Sequence, residues 1–406
     1  MGDFSKYIGD YSYYYTPERF GPLGLEQIGG TMLEPVTADT GAYLEENGDV
    51  RFRFYYPKVN KLEVSMRAGR QSMKFELEKD GEGYFSGVLS YDAQNPTWHG
   101  FRQFELIADG INVVSSRTPV MQGFRGPTNY IEVPFLDFDD YLMDRNVPRG
   151  ALAFRLFRSK VTNSWHRCTV YTPSEYNTSP DKSYPVLYLH HPGAKNTDTA
   201  WAFQGKVPLI MDNLIAEGKA VPFIIVSNEC GPQLPEDGLF GMDGYFRMLF
   251  EDCIPFIESE YRCLSDKWNR ATAGASWGGM LSSQLAFTWP DKFANVGMIS
   301  SGFRCVDTWP KLEDNHFLDW MKGNAKEVGK QYKLIFRSHG EIEYIGSKEL
   351  PNEPGNPTLF EDEAFLSENG LDKLPCYKRI VFPGGKHMWD TFAKGFSAFA
   401  QVLFKD

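Results

Sequence analysis

Paired cysteines are one of the features that this sequence lacks. None of its cysteines forms a CxxC pair, and their spacing matches no zinc site. We interpret them as reduced, buried thiols. Disulfides are an alternative only if the protein is exported. The six cysteines are Cys168, Cys230, Cys253, Cys263, Cys305 and Cys376.

Basic charge and long apolar runs are also scarce. The 42 Lys and Arg residues are outnumbered by 53 Asp and Glu, so the net charge is -11. This balance argues against nucleic-acid partners and anionic membrane surfaces, and no apolar run has the length of a membrane span. The first residues show no basic segment followed by an apolar stretch, so a cytoplasmic location is expected, or a secreted or periplasmic one if a signal peptide was removed.

The 406 residues are too many for one ordinary core, and two patterns divide them. Alternating strands with glycine-rich turns, such as the Asp109-Gly110 pair, fill residues 50–125 and predict a small antiparallel sandwich. We expect an N-terminal extension at 1–32, the sandwich at 33–136 and a linker at 137–150.

Residues 151–406 are expected to form the second domain. Continuous apolar runs, such as 185–191 and 222–228, alternate there with helical stretches. Fully apolar strands are typical of a sheet covered on both faces, so the pattern predicts an α/β fold with a mostly parallel sheet.

The sequence AGASWGGM, residues 273–280, follows one of these apolar runs and precedes a helical stretch. Its glycines allow a sharp turn with close packing between strand and helix. Ser276 at the turn would project from the carboxyl end of the sheet. This strand–G-x-S-x-G–helix order is that of a nucleophile elbow.

A serine nucleophile needs a base and an acid, which follow it in this fold in the order serine, acid, histidine. Of seven histidines, His387 is the candidate base because it follows the last predicted strand, whereas His339 ends the preceding one. The loop after that preceding strand offers Glu341 and Glu343 as the acid. A turn at Gly340 would favour Glu343, since the third residue after it is carried towards the histidine loop.

An oxyanion hole would complete such a site. One donor is expected to be the backbone N–H of Trp277, at the positive end of the helix. The other is expected from Gly193 or Ala194, after the first buried strand. His190 and His191 are adjacent and would point in opposite directions, so no shared metal is expected; nor is any other metal or cofactor needed.

In residues 150–404 the sequence resembles the esterase family of α/β-hydrolases that includes feruloyl esterases, enterochelin esterases, S-formylglutathione hydrolase and mycolyltransferases. The resemblance rests on the entry segment at 166–193, the block around the elbow at 253–303 and the histidine block at 383–404. Residues 50–125 resemble, less specifically, the immunoglobulin-like N-terminal domain of enterochelin and some feruloyl members.

The resemblance implies an α/β-hydrolase fold with Ser276 as nucleophile, His387 as base and Glu343 as acid. Two departures from the family pattern stand out. First, a glutamate occupies the place of the usual aspartate, so Glu341 also stays a candidate for the acid. Second, Pro192 in the HPGA loop has no N–H, so the oxyanion donor is expected to be Gly193 or Ala194. The stretch 227–238 is expected to shape the pocket by position alone.

The expected function is a serine carboxylester hydrolase, by resemblance one acting on hydroxycinnamoyl (feruloyl-type) esters of sugars or plant phenolics. Alternatives are a siderophore trilactone esterase, an acetyl esterase or an acyltransferase. A further alternative, of another class, is a non-catalytic carbohydrate-binding protein on an esterase scaffold. The expected partner is a small-molecule or oligosaccharide ester, and a homodimer stays open.

Overall fold

A computed structural model describes most of the chain in two compact units, Met1–Asp144 and Arg145–Asp406. The division falls within residues 137–150, the range predicted as a linker. The predicted extension at 1–32 lies outside the described residues. Those residues are 40–68, 71–91, 99–123, 126–134, 137–142, 146–193, 197–230, 242–303, 315–343 and 358–405.

The first unit is an antiparallel β domain. Its main sheet runs in the order β1-β2-β5-β4-β3-β6-β9-β8, and β7 pairs with β6. The strands are β1 Gly41–Leu44, β2 Val50–Tyr55, β3 Leu62–Ala68, β4 Gln71–Lys79, β5 Tyr84–Leu89, β6 Gly100–Ala108, β7 Ile111–Val113, β8 Val120–Gly123 and β9 Gly126–Val133.

Aromatic packing shows that this sheet folds over on itself. Phe52 on β2 and Phe104 on β6 pack edge to face with ring centroids 5.4 Å apart, although three strands separate β2 from β6 in the sheet order. Alternate residues of β2 are buried, as one covered face requires. Asp109 and Gly110 both have positive φ and join β6 to β7, the hairpin predicted from their sequence.

The second unit is built on an eight-stranded sheet in the order β10-β11-β13-β12-β14-β15-β16-β17, whose last six strands are parallel. The strands are β10 Ala151–Ser159, β11 Ser164–Thr172, β12 Val186–His190, β13 Ile224–Asn228, β14 Arg270–Ala275, β15 Asn295–Ile299, β16 Leu334–Gly340 and β17 Tyr377–Phe382. The predicted mostly parallel sheet is therefore present.

The described helices of this unit connect the parallel strands, except the last helix, which follows β17. Every residue of β12, β13, β14, β15 and β16 is buried, which explains the continuous apolar runs at 185–191 and 222–228 that contain β12 and β13. The α-helices are α1 Ala200–Phe203, α2 Val207–Ala216, α3 Asp243–Met248, α4 Ile254–Glu260, α5 Trp277–Thr288, α6 Ala325–Gln331, α7 Thr358–Glu368 and α8 Trp389–Ala400. A π-helical turn, Leu249–Cys253, joins α3 to α4, and short 3₁₀ turns cover Lys267–Asn269, His316–Met321 and Leu371–Lys373.

The antiparallel hairpin of β10 and β11 is an element of this unit that the sequence pattern did not indicate. Phe154, Leu156 and Trp165 on this hairpin have exposed fractions of 53%, 63% and 68%. Strand prediction relies on apolar residues facing the core, and here large apolar residues face away from it. The hairpin adds two antiparallel strands to the sheet edge beside β13.

Across the described ranges, every helix falls short of the length and apolar character that crossing a bilayer requires.

A buried ion pair connects three elements behind the carboxyl end of the sheet. The Arg337 guanidinium on β16 lies 3.1 Å from Asp362 Oδ2 on α7, and both side chains are fully buried. The same oxygen accepts a 2.8 Å hydrogen bond from the Phe303 backbone N–H. A second carboxylate, that of Glu363, is 3.7 Å from the guanidinium.

We predict that Asp362→Ala lowers the free energy of unfolding of the second unit by about 3–5 kcal/mol, because the buried guanidinium loses its nearer, fully buried carboxylate. Urea unfolding followed by tryptophan fluorescence measures the change. Glu327→Ala is the control, since it breaks an ion pair with Lys330 in which both side chains are 58% exposed. It should cost less than about 1 kcal/mol. Equal losses in the two variants would contradict the prediction.

Candidate active site

Ser276 occupies the turn between β14 and α5. Its φ of 53° and ψ of -119° lie in a region that side-chain-bearing residues rarely adopt. Three backbone hydrogen bonds hold this conformation. The Ser276 N–H donates to Ile299 O at 2.9 Å, and the Ser276 carbonyl accepts from the N–H groups of Gly279 and Met280. The serine side chain is thereby placed at the N-terminus of α5.

The glycines of the elbow are required by the approach of β12. A Cβ on Gly274 would lie 2.6 Å from the His190 carbonyl oxygen, and a Cβ on Gly278 would meet the same oxygen. A Cβ on Gly279 would lie 2.5 Å from Ser301 Cβ. Real Cβ atoms do not approach other atoms so closely, so these positions admit only glycine without local rearrangement.

A continuous hydrogen-bonded chain links Ser276 to His387 and Glu343. Ser276 Oγ lies 2.8 Å from His387 Nε2, and His387 Nδ1 lies 2.9 Å from Glu343 Oε2. His387 is in the loop between β17 and α8, and its ring meets that of Phe392 edge on, with centroids 5.1 Å apart. The histidine side chain is 50% exposed and that of Glu343 only 5%. The imidazole is therefore accessible, whereas the carboxylate is shielded from water.

The two candidate glutamates have different partners. Residues 341–343 are helical, so the chain turns directly after β16. This turn directs Glu343 to His387, while Glu341 Oε2 accepts a 3.0 Å hydrogen bond from the Gly384 N–H. Glu341 therefore contacts the backbone of the histidine loop rather than the imidazole.

The predicted oxyanion donors lie on neighbouring loops. Trp277 is the first residue of α5, and Gly193, with φ of 74°, follows β12. His190 is the register partner of Gly274, so the segments after β12 and β14 leave the sheet side by side. Ala194, the alternative donor, is outside the described residues, as are residues 231–238 of the predicted pocket segment.

The other histidines near the sheet have structural contacts. His190 is buried between the Thr272 and Tyr245 hydroxyls, at 2.9 and 2.8 Å, and His191 Nε2 accepts a 3.1 Å hydrogen bond from the Cys230 N–H. Burial lowers the pKa of His190 to about 3, that of His191 to about 4 and that of His339 to about 3. These imidazoles are neutral at physiological pH. In the described part of the chain, no three His, Cys, Asp or Glu residues are grouped as metal ligands.

The described cysteines are free thiols, and Cys305 lies outside the described residues. Burial raises the pKa of Cys168 to about 12 and of Cys263 to about 12. Such thiols are protonated at neutral pH and make poor nucleophiles. Ser276 is therefore the better candidate nucleophile.

Ser300 is a site residue that the sequence pattern did not indicate. Its hydroxyl donates a 2.8 Å hydrogen bond to Glu343 Oε1. Ser300 lies in the sequence ISSGF directly after β15, at the end of the block 253–303, in which only the elbow at Ser276 indicated a site residue. No sequence signal distinguishes it from Ser301 beside it.

Comparison with known proteins identifies the family. A family model described as Putative esterase matches residues 159–398. An endo-1,4-beta-xylanase/feruloyl esterase of Xylanibacter ruminicola is 33% identical over 350 residues, which are 83% of this chain and 44% of that protein. A ferri-bacillibactin esterase of Bacillus subtilis is 29% identical over 36% of this chain and 47% of its own length. The chain spans less than half the length of these curated relatives.

Solved structures share the fold at lower sequence identity. The enterobactin esterase of Shigella flexneri aligns with 87% of this chain and 93% of its own, with a TM-score of 0.58 and 13% identity. A ferulic acid esterase of Anaeromyces mucronatus aligns with 66% of this chain and 95% of its own, with a TM-score of 0.53 and 20% identity. The family model covers more than half of the sequence, including the elbow and the histidine loop, and the chain therefore belongs to the esterase family that this model describes.

Proposed function

We propose that this protein is a serine carboxylester hydrolase that uses Ser276, His387 and Glu343 as its triad. The observation that carries the proposal is the hydrogen-bonded chain from Ser276 Oγ through the imidazole to Glu343 Oε2, with distances of 2.8 and 2.9 Å. Ser276 has the backbone conformation of a nucleophile elbow, which presents its hydroxyl at the carboxyl end of the sheet. Family membership supports the same chemistry.

In the first half-reaction, His387 Nε2 takes the proton from Ser276 Oγ as the oxygen attacks the ester carbonyl carbon. The tetrahedral intermediate carries its negative charge on the former carbonyl oxygen. We assign the Trp277 N–H, with Gly193 or Ala194, as donors to that oxygen. The imidazolium then protonates the leaving alcohol oxygen, which leaves an acyl-enzyme on Ser276.

The second half-reaction repeats these steps with water. His387 removes a proton from water, which attacks the acyl carbon, and then returns that proton to Ser276 Oγ as the acid product leaves. Glu343 stays ionised throughout. It holds the tautomer with Nδ1–H and stabilises the imidazolium that forms in each transition state.

We propose hydroxycinnamoyl esters of sugars or plant phenolics as the substrate class. The support is the relative named endo-1,4-beta-xylanase/feruloyl esterase, whose match spans 83% of this chain. The siderophore trilactone esterase is the second candidate. It is favoured by the fold likeness to the enterobactin esterase over 87% of the chain and by the ferri-bacillibactin esterase match.

The first unit is proposed to be an immunoglobulin-like sandwich. Its antiparallel strands and the contact of Phe52 with Phe104 across the folded sheet are compatible with that assignment.

The alternative function, carbohydrate binding, requires an esterase scaffold that has lost catalysis. The complete set of contacts among Ser276, His387 and Glu343 argues against that loss.

Ser276→Ala is expected to reduce kcat for an aryl ester by about a millionfold, as in a serine protease that has lost its nucleophile. A p-nitrophenyl ester assay measures the loss, and the thermal unfolding midpoint checks the fold. Ser283→Ala is the matched control on α5, because that hydroxyl donates to the Met280 carbonyl inside the helix. More than a few per cent of wild-type activity in folded Ser276→Ala would exclude Ser276 as the nucleophile.

Glu343→Gln is expected to keep the fold and lower kcat by about three to four orders of magnitude, because an amide no longer favours the required histidine tautomer. Glu341→Gln is the matched comparison. Its amide oxygen can still accept the Gly384 N–H, so its effect on kcat should be mild. The opposite ranking in kinetics of the two folded variants would move the acid to Glu341.

Comparison of three substrates tests the proposed substrate class. Methyl ferulate, acetylated xylan and a catecholate trilactone are each assayed as substrates of the full chain under matched conditions. The proposal expects the highest kcat/KM for methyl ferulate. A higher value for the trilactone would favour the siderophore function, and activity on acetylated xylan alone would favour an acetyl esterase.

A further inference from the structure

Ser300 follows β15 in an unusual backbone conformation. Its φ is 49°, a value that favours glycine and is uncommon for serine. The Ser300 N–H donates to the Ser338 carbonyl at 2.6 Å, and the preceding carbonyl, that of Ile299, accepts the Ser276 N–H. Ser300 is thus fixed between the segment that carries the nucleophile and the strand that leads to Glu343.

The side chain of Ser300 contacts the carboxylate and not the imidazole. Ser300 Oγ donates to Glu343 Oε1 at 2.8 Å, and the Gly340 N–H donates to the same oxygen at 2.9 Å. The other oxygen, Oε2, is left to face His387 Nδ1. The residue is 1% exposed, so water has little access to its hydroxyl.

We infer that Ser300 is a positioning residue of the active site, whose hydroxyl holds the Glu343 carboxylate in the orientation that His387 requires. The inference rests on the proposed esterase function. A glutamate has one more rotatable bond than an aspartate and loses more rotamer freedom when it is fixed. Two donors on Oε1 restrain that additional freedom, and a hydrogen bond to an ionised group is stronger than one between neutral groups.

Ser300 could instead serve the fold through its turn conformation alone, and two substitutions separate the roles. Ser300→Ala removes the hydroxyl and keeps the Cβ at positive φ. Ser300→Gly also removes the hydroxyl but suits positive φ. If the hydroxyl is what acts, both variants lose similar activity, whereas a role in the turn alone leaves Ser300→Gly close to wild type.

The closing experiment is a double-mutant cycle on the full chain. Ser300→Ala, Glu343→Gln and the double variant are compared by kcat and KM on one aryl ester. We expect Ser300→Ala to lower kcat about tenfold, the size of one hydrogen bond to a charged group, with KM nearly unchanged. In the Glu343→Gln background the same substitution should cost less than about twofold, because the carboxylate that it orients is already absent.

Ser301→Ala is the matched control, since the neighbouring hydroxyl donates to the Gly302 carbonyl at 3.2 Å. Its kcat should stay within about twofold of wild type. Thermal unfolding is recorded for every variant, and Ser300→Gly carries the test if Ser300→Ala does not fold.

Four results would overturn the inference: wild-type kcat in a folded Ser300→Ala variant, near-wild-type kcat in Ser300→Gly, an equal loss in both backgrounds, or failure of both Ser300 variants to fold. Failure of the proposed function itself is recognised separately. If the proposed function is wrong, Ser276→Ala keeps its activity. If Ser276→Ala is inactive but Ser300→Ala is as active as the wild type, only the positioning role of Ser300 is rejected.

Discussion

The close approach of β12 to the turn at Ser276 is the constraint on which the site depends. A serine at φ of 53° and ψ of -119° is a strained backbone conformation, of the kind that costs on the order of 1–3 kcal/mol. It persists because β14 and α5 are held against the His190 carbonyl, with no room for a Cβ at Gly274 or Gly278. Because β14 and α5 meet so closely, the Ser276 hydroxyl lies at the carboxyl end of the sheet.

The second important contact joins the segment after β16, which carries Glu343, to the loop after β17, which carries His387. A Cβ on Gly340 would meet the Gly385 carbonyl oxygen, and the Ile342 N–H donates to that same oxygen at 3.0 Å. The Glu341 carboxylate adds a hydrogen bond to the Gly384 N–H. Hydrogen bonds to backbone groups of the histidine loop therefore hold the two segments together, and the Glu343 side chain contacts His387.

Much of the second unit could be predicted from the sequence. The apolar runs at 185–191 and 222–228 contain the buried strands β12 and β13, and the elbow lies between β14 and α5, as its glycines indicate. Two features could not be predicted from the sequence. The large apolar residues of the β10–β11 hairpin face away from the core, and no motif singles out Ser300. The buried ion pair of Arg337 and Asp362 could not be predicted from the sequence either, because the burial of a charged residue depends on a partner distant in sequence.

The sequence by itself determined the fold class and the nucleophile candidate, because both depend on local patterns: continuous apolar strands, and glycines around one serine. Chain order left His387 as the candidate base. Only the tertiary structure decided the geometry between those residues. The choice between Glu341 and Glu343 depends on a turn directly after β16, and the contact of Ser300 with Glu343 joins residues 43 positions apart. Such contacts follow from how strands are arranged in the sheet, which local sequence does not encode.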